Sequence, residues 1–239
     1  MKKLVILLVA AATVAAYGTA TVVEGIQGTK EAVEPNTPAA EVRPVIIALE
    51  KPDMTGGMPL MMALKNRRSD RAFSEQELSK RQLSEVLWAA NGVNRDDGKR
   101  TVPSAMDRRL MDVYAVLADG IYFYDPQKHA LVLVAEGDLR AYTGTQPFVR
   151  NAPLNLVFVA DLSRFNDPRR PGREIPHDLK MQWATLEAGC QVQNVYLYCA
   201  SEGLATVVRG MVDRERLAPL MKLRDEQVII CAQTVGLPR

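Results

Sequence analysis

The chain has 239 residues, 47% hydrophobic and 24% charged, which suits a soluble globular protein with one sizeable core. A formal charge of +2 is too weak for a general nucleic-acid binder, and two histidines are too few for a His-rich metal site. Lys2 and Lys3 account for the whole excess, so any local cluster of arginine in the remainder is a matter of placement.

The opening "MKKLVILLVAAATVAAYGTA" reads as a secretory signal over residues 1–20. It has two lysines, an apolar run from Leu4 to Ala16, then small residues at Gly18, Thr19 and Ala20. The alternative is an uncleaved membrane anchor, because an apolar run of this length can span a bilayer. The first reading predicts a periplasmic or secreted protein, the second a membrane-anchored one. Residues 21–45, rich in Pro, Gly, Thr, Glu and Ala, read as a flexible linker. Residues 46–239 read as the folded domain, with the apolar "VIIAL" near Val45 to Leu49 as an arm over its core.

Pro59 fits the first position of a helix carrying Leu60, Met61 and Leu64, which the arginines of "LKNRRSDRAF" close. Ser79 with Gln82 forms a capping box for a second helix, and Asn91-Gly92 ends it. A polar loop spans Val93 to Ser104, followed by a strand at 113–118. "GIYFYDPQKHALVLVA" reads as a hairpin turning at Asp125 to Lys128, and "LNLVFVAD" (154–161) as a fully buried strand. "DPRRPGREIPHD" is an exposed loop. The longest helix runs from Leu179 to Ser201, with Trp183, Leu186, Cys190, Val192 and Leu197 predicting burial on most sides, and Gly203 marks its end. A short helix near Arg214 to Met221 and a strand at 227–236 complete the chain. Strands and helices mix without βαβ alternation, which predicts an α+β fold.

Cys190, Cys199 and Cys231 lie in apolar segments without metal-ligand spacing and read as buried, inert thiols. Tyr122, Tyr124, His129 and His177 sit in hairpin or loop contexts, and none qualifies as a general base; no catalytic side chain and no metal ligand is assigned. The arginine cluster has two readings. If the helix persists, Arg67 and Arg71 share a face, and like charges so placed repel by ~0.2–0.5 kcal/mol per pair unless an anion sits among them. Guanidinium groups bind phosphate bidentately and Ser69 adds a hydroxyl. Arginines at a helix C-terminus are also favoured by the helix dipole alone.

"RRSDRAF" followed by "VLWAANGVNR" resembles the opening of nitroreductase-family flavoproteins. The likest branch includes oxidases of thiazoline and oxazoline rings in peptides. "RTVPSA", "GIYFYDPQKHALV", the "AP" at 152–153, "EAGCQVQNVYLYCASEGLATVVRGMVD" and "TVGLP" follow in order, from about residue 46 to 238. The resemblance implies a central, mainly antiparallel sheet flanked by helices in an intertwined homodimer, with FMN at the interface. Arg67, Arg68, Ser69 and Arg71 match positions that hold the phosphate, the ribityl chain and the pyrimidine edge. Arg71 would stabilise negative charge on the reduced ring. Pro103 and Ser104 match a loop covering the partner's flavin, and Gln146 falls near ring-contacting positions. Val208, Arg209 and Gly210 match the turn whose backbone lies against flavin N5, where a glycine permits close approach. Of the basic residues that the family supplies beyond the last strand, this sequence has Arg239.

The implied activity is an FMN-dependent two-electron oxidoreductase acting on a small nitro, quinone or azoline compound. The family's usual donors are NADH and NADPH, which are scarce outside the cytoplasm. An oxidase returning electrons to oxygen, and a flavin-binding protein without turnover, are the alternatives.

Overall fold

The computed structural model describes residues 45–166 and 174–239. The expectations for the signal or anchor, and for the linker up to residue 44, lie outside the described residues, as does most of the 167–178 loop.

Seven strands form one antiparallel sheet: β1 (Ile46–Ala48), β2 (Met111–Val116), β3 (Gly120–Asp125), β4 (Ala130–Glu136), β5 (Leu154–Asp161), β6 (Ala205–Arg209) and β7 (Gln227–Gly236). Their order is β1-β4-β3-β2-β5-β7-β6. Among the described residues four α-helices accompany them: α1 (Leu60–Asn66), α2 (Lys80–Asn91), α3 (His177–Glu202) and α4 (Arg214–Leu220). The α+β expectation and the antiparallel sheet therefore hold.

Strand β5 shows why the sheet is buried on both faces. Leu154, Leu156 and Phe158 point toward α2 and α3, into a core with Val86, Leu87, Val195 and Cys199. The alternate residues Val157 and Val159 point the other way, against Val212, Leu217 and Met221. A strand covered on both sides reads as a continuous apolar run, as "LNLVFVAD" does. Burying each such large side chain contributes ~1.5–3 kcal/mol.

Local signals set the helix ends. Ser79 and Gln82 make the reciprocal capping box of α2. Gly203, at φ 69°, ends α3 in the left-handed conformation and returns its N–H to Cys199 O. The "VIIAL" arm is the edge strand β1, exposed along its length and paired with β4. His129 ties this arm down: Nε2 lies 2.8 Å from both Glu50 O and Ser84 Oγ, and Nδ1 lies 2.8 Å from Tyr124 Oη. Its role is structural. All three cysteines are free; Cys199 is buried, while Cys190 and Cys231 are half-buried.

Four expectations need correction. Pro59 precedes α1 as its N-cap rather than opening it. The arginine segment is not helical, because Arg67 takes an extended ψ of 121° and α1 stops at Asn66, so the shared-face repulsion argument does not apply. Helix α3 is not buried on most sides of the protomer: one face packs inward through Ala184, Ala188, Val195 and Cys199, but Leu186 is 70% exposed. Strand β6 went unforeseen because "ATVVR" is short and its apolar residues continue those of the preceding helix.

Candidate cofactor site

The site is organised around Tyr196, on the inner side of α3. Where the chain leaves α1, the Arg67 guanidinium lies over the Tyr196 ring, 5.1 Å from its centroid. Two residues on, Ser69 Oγ sits 2.8 Å from Tyr196 Oη. The same phenolic oxygen accepts the N–H of Val208 at 3.0 Å, at the end of β6. A hydroxyl carries one proton and two acceptor sites, so the Tyr196 oxygen can hold the Val208 N–H and the Ser69 hydroxyl together, with either hydroxyl as the donor of the pair. Asp70 N–H donates to Thr206 O at 2.9 Å and stitches the arginine segment along β6. Arg67, Ser69 and Val208, remote in sequence, are thereby brought together.

Arg68 is exposed beside a cavity of about 450 Å³ that is also lined by Asp70, Tyr196, Ser201, Thr206 and Pro238. Its 3.8 Å ion pair with Asp70 is solvent-facing and worth little. Arg71 lines a different cavity, of about 330 Å³, with Phe73, Phe148, Asn151 and Arg239. Arg239 arrives there because the last residues pair with the arginine segment: Ser74 N–H donates to Leu237 O at 2.9 Å and Arg239 N–H to Ala72 O at 3.2 Å.

The segment expected as a turn at 208–210 is instead the last two residues of β6, paired with Gln233 and Ala232, and the residue after it, and the three diverge. Val208 is 37% exposed. Gly210 is exposed, and a Cβ there would meet nothing within 4 Å, so no atom of this chain demands the glycine. Arg209 turns inward and is buried. Its Nε donates to Thr234 Oγ1 (3.0 Å), Nη1 to Thr143 O, and Nη2 to Asn155 Oδ1 (2.9 Å) and Thr143 Oγ1 (3.4 Å). Burial pulls its pKa down to about 10. Gln146 stands on this side of the sheet, and its Oε1 is buried without a partner.

Pro103 and Ser104 lie apart from the Tyr196 cluster, along α3. Pro103 borders an open groove of about 1060 Å³, floored by Met181, Leu186, Cys190 and Gln193. Ser104 Oγ accepts the Arg109 N–H at 2.6 Å. Met106, Asp107 and Arg109 take φ of 55°, 53° and 52°, a strained conformation for non-glycine residues that clusters at functional loops. Asn194 fixes this loop to the helices, donating to Ala89 O (3.1 Å) and Thr101 O (3.3 Å). Beneath it, burial pushes the Glu187 carboxyl up to about 7, against hydrogen bonds from Ser104 and the Met111 backbone.

Tyr196 escaped the sequence reading. Its signal was a phenol inside an apolar helix, where the hydroxyl needs a partner. Arg67, Arg68 and the Ser69 hydroxyl suit the anionic end of a ligand, Arg71 and Arg239 line a separate cavity suited to a second polar edge, and Gln146 Oε1 is buried without a partner.

This geometry defines an α+β domain with an arginine-rich segment along the β6 edge of its antiparallel sheet. Residues 64–237 match the nitroreductase family, and the chain belongs to that family of flavin-dependent oxidoreductases. A crystal structure of a nitroreductase from Ralstonia eutropha is 46% identical, covering 81% of this chain and 90% of that one, with a TM-score of 0.74. A nitroreductase of Methanocaldococcus jannaschii is 29% identical over 177 residues, 70% of this chain and 86% of the relative. A nitroreductase from Desulfovibrio desulfuricans, solved in complex with FMN, shares the fold at 19% identity and TM-score 0.54, over 76% and 87% of the two chains.

Proposed function

We propose that the protein is an exported, homodimeric FMN oxidoreductase that passes two electrons between an organic donor and a small nitro, quinone or azoline compound. The observation that carries this is the convergence of Arg67, Ser69 and Val208 on Tyr196, which joins the arginine-rich segment to residues 208–210. Bound FMN would supply a ring atom that takes up and returns a hydride. The chain's own work is binding and electrostatics. Arg67, Arg68 and Ser69 would take the phosphate, a charge-assisted contact stronger than a neutral hydrogen bond. Arg71, with Arg239 beside it, would balance negative charge at the ring edge. Gln146 would accept an N–H.

The α3 groove supports the dimer. A 26-residue helix that leaves Leu186 and Gln193 exposed beside Pro103 offers a second copy a long, partly apolar seat. The signal-like residues 1–20 favour export, where the donor is better sought among quinols or other small reductants than among NADH and NADPH.

The test is the visible spectrum of purified protein before and after incubation with FMN. Flavin absorbance, with retention lowered at least tenfold in Arg67→Ala and Arg71→Ala, is expected. No bound flavin after incubation refutes the reading. Holoprotein that no donor reduces identifies a flavin-binding protein without turnover.

A further inference from the structure

Arg209 is a buried cation without a buried anion. It is 4% exposed, yet among the described residues it forms no ion pair. Its hydrogen-bonding neighbours, Thr143, Asn155 and Thr234, are all neutral. Arg164, half-buried beside the sheet, is treated differently, with Asp112 at 2.7 Å from Nη2 and Asp161 at 3.4 Å from Nε. Burying a charge is costly, and buried charges are ordinarily paired. Four bonds to neutral oxygens engage four of the five N–H donors of Arg209 and hold the guanidinium in place, but leave its positive charge uncompensated.

The surroundings are shaped to keep it there. A Cβ on Gly144 would stand 2.0 Å from Nη1 and 3.1 Å from the orphaned Gln146 Oε1, so glycine is required for the loop to close over the guanidinium. Thr143 and Thr234 are fully buried, as is Asn155. The cradle draws on β5, β6, β7 and the 143–146 loop. Its position is the telling part: Arg209 is the middle residue of the 208–210 segment, with Val208 and Gly210 exposed on either side of it. The charge is therefore carried on a side chain that leaves this backbone for the interior, on the side away from the exposed Val208 and Gly210, to which the proposed flavin ring is assigned. Little solvent lies around it to screen its field.

We propose that Arg209, held by Thr143, Asn155 and Thr234, is a fixed counter-charge that favours the anionic, reduced form of a flavin bound at the 208–210 segment. This rests on the flavin reading above and adds a distinct property: the residue sets how strong an oxidant the bound flavin is, without touching the phosphate end. It is a positioning residue for charge, acting through the fold rather than by contact with the reacting atoms.

The experiment measures the midpoint potential of FMN-loaded protein by equilibration with redox dyes, for the wild type and four variants. Arg209→Met removes the charge and keeps the volume; it is expected to shift the reduced-to-oxidised ratio at least tenfold toward oxidised, which is about 30 mV for a two-electron couple. Arg209→Lys keeps the charge and is expected to stay within threefold of wild type. Asn155→Asp leaves the arginine in place and neutralises it with a carboxylate at the position now 2.9 Å from Nη2; it is expected to lower the potential in the same sense and carries the test if Arg209→Met does not fold. Asn155→Ser is the control for the lost amide and is expected to change the potential less than Asn155→Asp. Thermal melts run in parallel. A loss of melting temperature with an unchanged potential in Arg209→Met, or in Asn155→Asp, assigns a purely structural role and overturns the proposal. Wild-type protein that takes up no FMN overturns it together with the flavin reading.

Discussion

Replacing Tyr196 by Phe is the sharpest probe of the site. The substitution keeps the ring under the Arg67 guanidinium and removes one oxygen, which accepts from Val208 N–H at 3.0 Å and pairs with Ser69 Oγ at 2.8 Å. Two hydrogen bonds at about 1 kcal/mol each are lost, with some recovered where Ser69, which is exposed, turns to water. A loss of about 1–2 kcal/mol follows, and 1.4 kcal/mol is a tenfold change in affinity. FMN binding to apoprotein, followed by quenching of flavin fluorescence, is expected to weaken about tenfold. The melting temperature is expected to fall by about 2–8 °C, on the scaling for a domain of this size. Tyr196→Leu, which also removes the cation–π contact, is expected to weaken binding a further two- to fivefold. If Tyr196→Phe binds FMN with wild-type affinity, the hydroxyl does not couple the arginine segment to β6 and the account of the site fails.

Leu186→Glu places a charge on the exposed face of α3, and sedimentation is expected to show monomer where the wild type shows dimer. Gly144→Ala forces a methyl to within 2.0 Å of Arg209 Nη1; a stability loss of about 1–3 kcal/mol is expected by denaturant unfolding. Glu187, whose carboxyl is raised by burial from 4.5 to about 7, holds a proton in the folded state that the unfolded chain releases. Stability should therefore fall as pH rises through that window and level off above about 7. Glu187→Gln is expected to flatten this dependence, melting higher than wild type at pH 8 and equally at pH 4.5, by thermal scans across that range.

Most elements were legible because one local signal fixed each: the capping box at Ser79, the left-handed stop at Gly203, the unbroken apolar run of β5. The family was legible from ordered fragments. Less legible was how residues meet. That Arg67 stacks on Tyr196 depends on the chain straightening after Asn66, which no propensity near the arginines announces. Leu186 looked like core because an apolar residue at a helical interval does not say whether the face it joins is covered by its own chain. Arg209 was the least legible. A charged residue before a glycine reads as an exposed turn, and its neutral cradle comes from three segments far apart in sequence.

The pairing of Leu237 and Arg239 with residues 72–74 bears on the order of events during synthesis. The arginine segment emerges early, yet both its flanking backbone partners, β6 at Thr206 and the residues after β7, are made near the end. A nascent chain lacks the partners that fix this segment's backbone, so the segment takes its final course only when the last strand is made. On the proposed flavin reading, the ligand would be taken up by a finished domain.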